Sequence, residues 1–197
     1  MVIIQNAIIY TAVCDAATPL LIMISSGYFK HIKDRIISLN ENGNCKLLDQ
    51  KRCIYFHQRL LRFSSKLAEF AATMLLTQIL STGYNISIIL IKLVSSDPDK
   101  YKYVALLGTY LCQLFLIQWA PDHVHEESEQ IAYAAYTAYI GTYNSNEINK
   151  HLLTVIMRAQ MPVKFLAGGF IPLSLESFGN IIKNVFSFFT VLRNFDL

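Results

Sequence analysis

The sequence predicts an all-α membrane protein: four membrane-spanning helices with cytoplasmic helical extensions. Three observations predict it. Hydrophobic residues make up 53% of the 197 and charged residues only 16%, against about 25% charged in an average soluble chain. Apolar stretches near the roughly 20 residues needed to cross a hydrocarbon core recur four times, at about residues 2–26, 70–92, 103–121 and 170–192. Lysines and arginines gather in one connector, as the positive-inside rule requires of a cytoplasmic loop.

Residues 2–29 carry a single charge, Asp15, among long runs of Ile, Leu, Ala and Val. Asp15 and Pro19 interrupt the stretch, and a buried amphipathic helix is the competing reading. Residues 30–66 then turn polar. They hold Lys30, Lys33, Arg35, Lys46, Lys51, Arg52, Arg59, Arg62 and Lys66 against Asp34, Glu41 and Asp49. Residues 40–44, with Gly43, read as a loop. The following IYFHQRLLRFSSKL resumes a helix that places Tyr55, Leu60, Phe63 and Leu67 near one side. His57 within it has no nucleophile or acid beside it, so a structural, hydrogen-bonded histidine is the expectation.

Residues 70–91 are uncharged, and Ser81, Thr82 and Gly83 suit close packing inside a bilayer. SSDPDK (residues 95–100) is a turn signal. Residues 103–121 are again uncharged and end near Trp119, an interfacial anchor type. The polar segment 122–164 follows. Its HVHEE has ligand residue types but lacks a distant second pair, so metal binding is not expected. Tyr133, Tyr136, Tyr139 and Tyr143 recur at helical spacing, a stripe that reads first as packing. A short amphipathic helix over 152–160 carries Arg158. Pro162 stops it, and Gly168-Gly169 act as a hinge. The last helix holds only Glu176 and Lys183 as charges before Arg193. Seven residues apart, they share a face, either lining a water-filled path or lying near helix ends and protein contacts.

Charge sets the orientation. The basic 30–66 connector and 122–164 are expected inside, the SSDPDK turn and the C-terminus outside. The net charge of +3 is too diffuse for nucleic acid. Cys14, Cys45, Cys53 and Cys112 show no metal or disulfide pattern, and the N-terminus lacks the features of a secretory leader. There is no nucleophile elbow, phosphate loop or dinucleotide fingerprint. No enzyme and no cofactor is expected.

The segment MRAQMPVKFLAGGFIPLSLESF, followed by SFFTVLR, resembles the C-terminal signature of the insect odorant receptors. Their usual form is M-R-[AS]-Q-x-P-V-x-L-x-[AG]-G, then P-L-[ST]-L-E-[ST]-F and S-Y-[FS]-x-x-L-R. The chain departs at Phe165 and Phe188, where leucine and tyrosine are common. CDAATPLLIMISSGYFKHIKDRIISL is similar to the family's fourth helix, and LCQLFLIQWAPD to its sixth. There Gln118 replaces a common cysteine and Pro121 a glycine.

The resemblance implies helices four to seven of a seven-helix receptor, so the chain reads as a truncated product or partial gene model. It further implies a subunit of an odorant-gated cation channel in the plasma membrane. That subunit would take a volatile ligand and assemble with an obligate co-receptor, as a tetramer. Carried over, the pattern places the gate at Val191, with Thr190 and Asn194 beside it. Tyr10 and Tyr103 become candidate odorant contacts, with lipid anchoring equally open. Tyr133, Tyr136, Arg158, Gln160 and Pro162 fall to subunit assembly. For Val191, interhelical or lipid-facing packing remains the competing reading. A non-conducting assembly fragment and a gustatory receptor relative are the alternatives.

Overall fold

The computed structural model describes residues 2–41, 47–94, 100–141 and 146–195, without the side chains of 2–12, 14–15, 39–41, 47–50, 141, 146–149, 151, 192 and 194–195. Within them the chain forms α1 (Val2–Glu41), α2 (Leu47–Val94), α3 (Lys100–Gly141), α4 (Asn146–Ala159), β1 (Leu166–Ala167), β2 (Ile171–Pro172) and α5 (Leu175–Phe195). The expected loop at 40–44 lies largely outside the described residues, and the expected turn at 95–99 wholly so.

Three of these helices exceed the expected spans. The apolar and polar halves that composition separates are single helices of 40, 48 and 42 residues. Polarity changes along each helix while the backbone hydrogen-bonding continues. Pro19 and Pro121 both lie inside helices. Each proline removes one donor, and in a long apolar helix neighbouring packing compensates. Pro121 is fully buried.

Among the described residues, two helices are long and apolar enough to cross a membrane, Lys51–Val94 and Lys100–Ile140. α5 has the length at 21 residues, but Glu176, Asn180, Lys183 and Asn184 dilute its hydropathy. The side chains of most of the first half of α1 lie outside the described residues.

The contacts divide the chain into two compact units. The first comprises Met1–Pro19, Phe70–Asp122 and Phe165–Leu197. Its core includes Leu75, Ile79, Ile86, Leu114, Ile117, Ala167, Leu173 and Val185. At Gly83 a Cβ would stand 3.5 Å from Val185, an ordinary van der Waals contact, so α2 and α5 touch there without requiring glycine.

The second unit comprises Leu20–Glu69 and His123–Lys164. α1 contributes Ile22, Phe29, Ile32 and Ile36, α3 contributes Val124, Ile131, Ala134 and Ala135, and α4 contributes Leu152, Val155 and Ala159, all buried. These spacings of three, four and seven are the apolar face of a helix. On α2 the buried stripe is His57, Leu60, Ser64 and Leu67. The expected face was rotated from this: Leu60 and Leu67 are buried, but Tyr55 and Phe63 are 58% and 48% exposed. Polar His57 and Ser64 occupy the core face, which hydrophobicity alone does not anticipate.

A two-stranded antiparallel hairpin replaces the expected hinge and the first turn of the last helix. Leu166 pairs with Pro172 and Ala167 with Ile171. Gly168 and Gly169 turn it at φ 61° and 82°, the left-handed region that glycine enters without steric cost. Ile171 precedes Pro172, which biases it away from the helical region, and both are paired in β2, so α5 begins at Leu175 rather than near 170. Ser174 caps it. Its Oγ accepts the Ser177 N–H at 3.2 Å, and its carbonyl accepts the Phe178 N–H at 3.0 Å, the geometry of an N-cap. The fold is therefore helical with one small hairpin.

Candidate functional site

α5 is built with two unlike sides. Phe178, Ile181, Ile182, Val185 and Phe189 form its buried or half-buried side, recurring every three or four residues. Glu176, Asn180, Lys183, Ser187, Thr190 and Val191 are all exposed. Their spacing of four, three, four and three to Thr190, with Val191 four residues beyond Ser187, follows one stripe around a helix of 3.6 residues per turn. A helix of membrane length thus carries a continuous polar stripe that its own unit does not cover. Glu176 lies in the first turn and Arg193 in the last, each at the end where the helix dipole favours its charge. Glu176 and Lys183 do share a face, and Glu176 also satisfies the helix-end reading.

Val191 is 48% exposed, so packing inside its own unit does not account for it. The Thr190 hydroxyl donates to the Phe186 carbonyl at 2.9 Å, which leaves its oxygen able to accept. The side chain of Asn194 lies outside the described residues.

The start of α5 is fixed from three sides within the first unit. The Gly168 N–H donates to the Ala72 carbonyl of α2 at 2.8 Å, and the Leu173 N–H donates to the Phe165 carbonyl at 3.0 Å. The Ser174 N–H donates to Gln118 Oε1 of α3 at 3.1 Å. Phe178 meets Phe115 edge-on at 5.8 Å between centroids, a favourable aromatic geometry. Gln118 is the positioning residue that sequence reasoning missed. It is fully buried, and its Nε2 has no partner. The available signal was a long amide inside an uncharged run.

In the second unit, the residues between α4 and the hairpin are clasped to α3. His125 Nδ1, as its N–H tautomer, donates to the Val163 carbonyl at 3.1 Å, and the Ser128 hydroxyl accepts the Val163 N–H at 3.1 Å. Both backbone polar groups of Val163 are satisfied from one helix. Glu127, 8% exposed at its side chain, pairs with Lys33 of α1 at 2.7 Å. Lys33 also donates to Gln130 Oε1 at 2.7 Å. The ligand-like residues of HVHEE are thus spent on the fold: His125 holds backbone and Glu127 neutralises a lysine. Among the described residues no three His, Cys, Asp or Glu side chains converge as a metal site.

His57 is a structural histidine in the core of the second unit. It is buried, its Nε2 has no partner, and burial with the nearby Arg158 cation pushes its pKa down to about 4.

The residues expected in subunit assembly divide. Arg158 and Pro162 line one 290 Å³ pocket, together with Lys164 and Ser65, and Gln160 is exposed nearby in sequence. Tyr133 and Tyr136 are 76% and 53% exposed. The described part of the tyrosine stripe is therefore not core packing: this part of α3 packs through Ile131, Ala134, Ala135 and Ala138 and turns Tyr133, Tyr136 and Tyr139 outward. Tyr143 lies outside the described residues. Tyr103 is half-buried, and the side chain of Tyr10 lies outside the described residues.

Residues 1–186 match the family model described as 7tm Odorant receptor. Odorant receptor 10 of Aedes albopictus is 30% identical over 159 residues, covering 80% of this chain and 42% of that protein. Odorant receptor Or2 of Anopheles gambiae is 28% identical over 160 residues, again 42% of its length. The chain thus spans less than half the length of these relatives. Among solved structures, the olfactory receptor OR5 from Machilis hrabei in complex with eugenol superposes with a TM-score of 0.81 at 14% identity, over 92% of this chain and 47% of that one.

Proposed function

The chain belongs to the 7tm Odorant receptor family, membrane chemoreceptors rather than enzymes, and we propose that it supplies helices four to seven of an odorant-gated cation channel subunit. In this reading α5 lines a central pore in a tetramer completed by an obligate co-receptor. Val191 forms the hydrophobic ring of the gate, a constriction that closes by dewetting. Thr190 and Asn194 offer polar groups to ions on either side. The upper parts of α1 and α3, with Tyr10 and Tyr103, border the odorant, a volatile small molecule. Tyr133, Tyr136, Arg158, Gln160 and Pro162 serve subunit assembly.

The observation that carries the proposal is the exposed polar stripe from Glu176 to Thr190, which ends beside Val191. Such a stripe facing the central axis, with the corresponding helices of the other subunits around it, would make a wet path through lipid. The aromatic face opposite would stay against each subunit's own core. An isolated helix facing lipid with that stripe would bury Glu176, Asn180 and Lys183 in hydrocarbon at several kcal/mol.

In the same reading the protein sits in the plasma membrane with residues 30–66 and 122–164 inside and the C-terminus outside. Nine Lys and Arg in residues 30–66 support that orientation. Glycosylation acceptors inserted in the SSDPDK turn should be modified, whereas acceptors at Asn42 should not; the opposite pattern overturns the topology. The channel reading is tested by Val191→Glu in a full-length receptor carrying this half, co-expressed with its co-receptor. Altered current or cation selectivity is expected. Unchanged currents at normal surface expression remove Val191 from the gate.

A further inference from the structure

Two neighbouring hollows lie between α1 and α2 in the second unit, and they share Phe56. The first, of 420 Å³, is lined by Ile24, Tyr28, Phe56, Arg59, Leu60 and Phe63. The second, of 390 Å³, is lined by His31, Ile32, Arg35, Arg52, Cys53 and Phe56. On α1 the lining residues fall at 24, 28, 31, 32 and 35; on α2, read in the opposite direction, at 63, 60, 59, 56, 53 and 52. Each set is one helical stripe, so the hollows form a single trough about 16 Å long at 1.5 Å per residue.

The trough changes character along its length. At the end nearer the expected membrane spans it is apolar, and Ile24, Tyr28 and Phe63 stand 48%, 53% and 48% exposed there. Arg59 sits midway. At the far end Arg35 and Arg52 face the hollow with His31. Arg35 lies close enough to Cys53 to oppose the rise that burial gives its thiol pKa, which places the guanidinium across the trough from α2. Asp34 is adjacent in sequence but lines neither hollow, while Lys30 and Lys51 flank the basic end.

We infer that this trough holds a phospholipid with an anionic headgroup drawn from the cytoplasmic leaflet. Its acyl portion would cover Ile24, Tyr28, Phe56 and Phe63. Its phosphate would reach Arg59, Arg35 and Arg52, since guanidinium forks match phosphate oxygens. Charge complementarity decides the occupant. An apolar protein helix would cover the apolar end equally well but would offer nothing to Arg35 and Arg52 at the other, whereas basic pockets beside cytoplasmic helix ends suit acidic lipid headgroups. The inference rests on the topology proposed above, which puts the basic end at the cytoplasmic surface.

The test uses the whole chain in mixed micelles of phosphatidylserine and phosphatidylcholine, with retained lipid counted by native mass spectrometry. Selective retention of phosphatidylserine is expected. It should fall about fivefold per arginine removed in Arg35→Gln, Arg52→Gln and Arg59→Gln, taking the usual contribution of one basic residue at an acidic surface. All three arginines are exposed, so these variants should keep the parent's thermal unfolding. A second measurement places the photo-crosslinker p-benzoylphenylalanine at Phe63, and an adduct of phospholipid mass is expected. Equal retention of both lipids, retention unaffected by the arginine changes, equal competition by soluble glycerophosphoserine, or a crosslink to protein each overturn the inference. Micelles have no sidedness, so a wrong topology appears only in the glycosylation pattern and an empty trough only in the lipid count.

Discussion

Gln118 Oε1 accepts the backbone N–H of Ser174 at 3.1 Å, so a buried amide on α3 fixes the residue that caps α5. The same side chain leaves its Nε2 without a partner. These two facts oppose each other energetically. Gln118→Leu strands the Ser174 N–H, at about 1–3 kcal/mol, but also removes a buried unsatisfied amide of similar cost. Net stability should move by less than about 1 kcal/mol. What should change is local: amide hydrogen exchange at residues 174–178 should accelerate while the thermal midpoint stays nearly constant. A large drop in midpoint with unchanged exchange there contradicts the positioning role.

The two hairpin glycines make a controlled pair. Both have positive φ, but a Cβ on Gly168 would lie 2.7 Å from Leu76 Cδ2 and 2.8 Å from Phe170 Cε1, whereas nothing lies within 4 Å at Gly169. Alanine at either position meets the left-handed backbone penalty of roughly 1–2 kcal/mol. Only Gly168→Ala adds a collision. Thermal unfolding in detergent should therefore rank Gly168→Ala below Gly169→Ala, and Gly169→Ala below the parent. Equal losses would mean that the Leu76 side chain gives way.

Much of this arrangement was legible in the sequence. Long uncharged runs announce membrane helices, because the cost of charge in hydrocarbon leaves few alternatives. The signature around Arg158, Pro162 and Gly168-Gly169 marks the family over its most ordered stretch. What escaped was what depends on partners distant in the chain. The apolar runs stop at residues 26 and 121, which suggests helix ends, yet α1 and α3 run on, since a helix needs only its own backbone bonds to continue. The hairpin was hidden because strands of two residues leave no periodic trace. The outward turn of Tyr133 and Tyr136 was hidden because small alanines, not aromatics, make the close packing on α3.

His57 gives the second unit a pH dependence of definite sign. Its pKa falls from 6.5 to about 4 on folding, chiefly through burial and secondarily through Arg158, so the folded chain holds it neutral. A group whose folded pKa is depressed contributes stability that is present above the unfolded pKa and is lost as pH falls. Stability should therefore decline from pH 6.5 toward pH 4, by up to roughly 3 kcal/mol. His57→Leu should flatten that slope, and it also deletes the unpartnered Nε2. Chemical denaturation at pH 7, 5.5 and 4 measures it; an unchanged slope in the variant assigns the effect to other groups.

Lys33 and Glu127 offer the sharpest test of how α1 and α3 are held in the second unit. Their side chains are 16% and 8% exposed at a separation of 2.7 Å, too buried to be treated as a surface pair worth only a few tenths of a kcal/mol. Removing one partner leaves the other charge uncompensated, which typically costs 3–5 kcal/mol, whereas replacing both by apolar residues is often neutral. Lys33→Met should thus be severely destabilising, and it also strands Gln130 Oε1, which accepts from the same ammonium at 2.7 Å. Lys33→Met combined with Glu127→Leu should recover most of the loss, leaving only the Gln130 contact unmade. A double-mutant cycle read by thermal unfolding gives the coupling directly. A coupling under about 0.5 kcal/mol would mean that water reaches the pair and that apolar packing alone, through Phe29, Ile32, Val124 and Ile131, holds these helices in place.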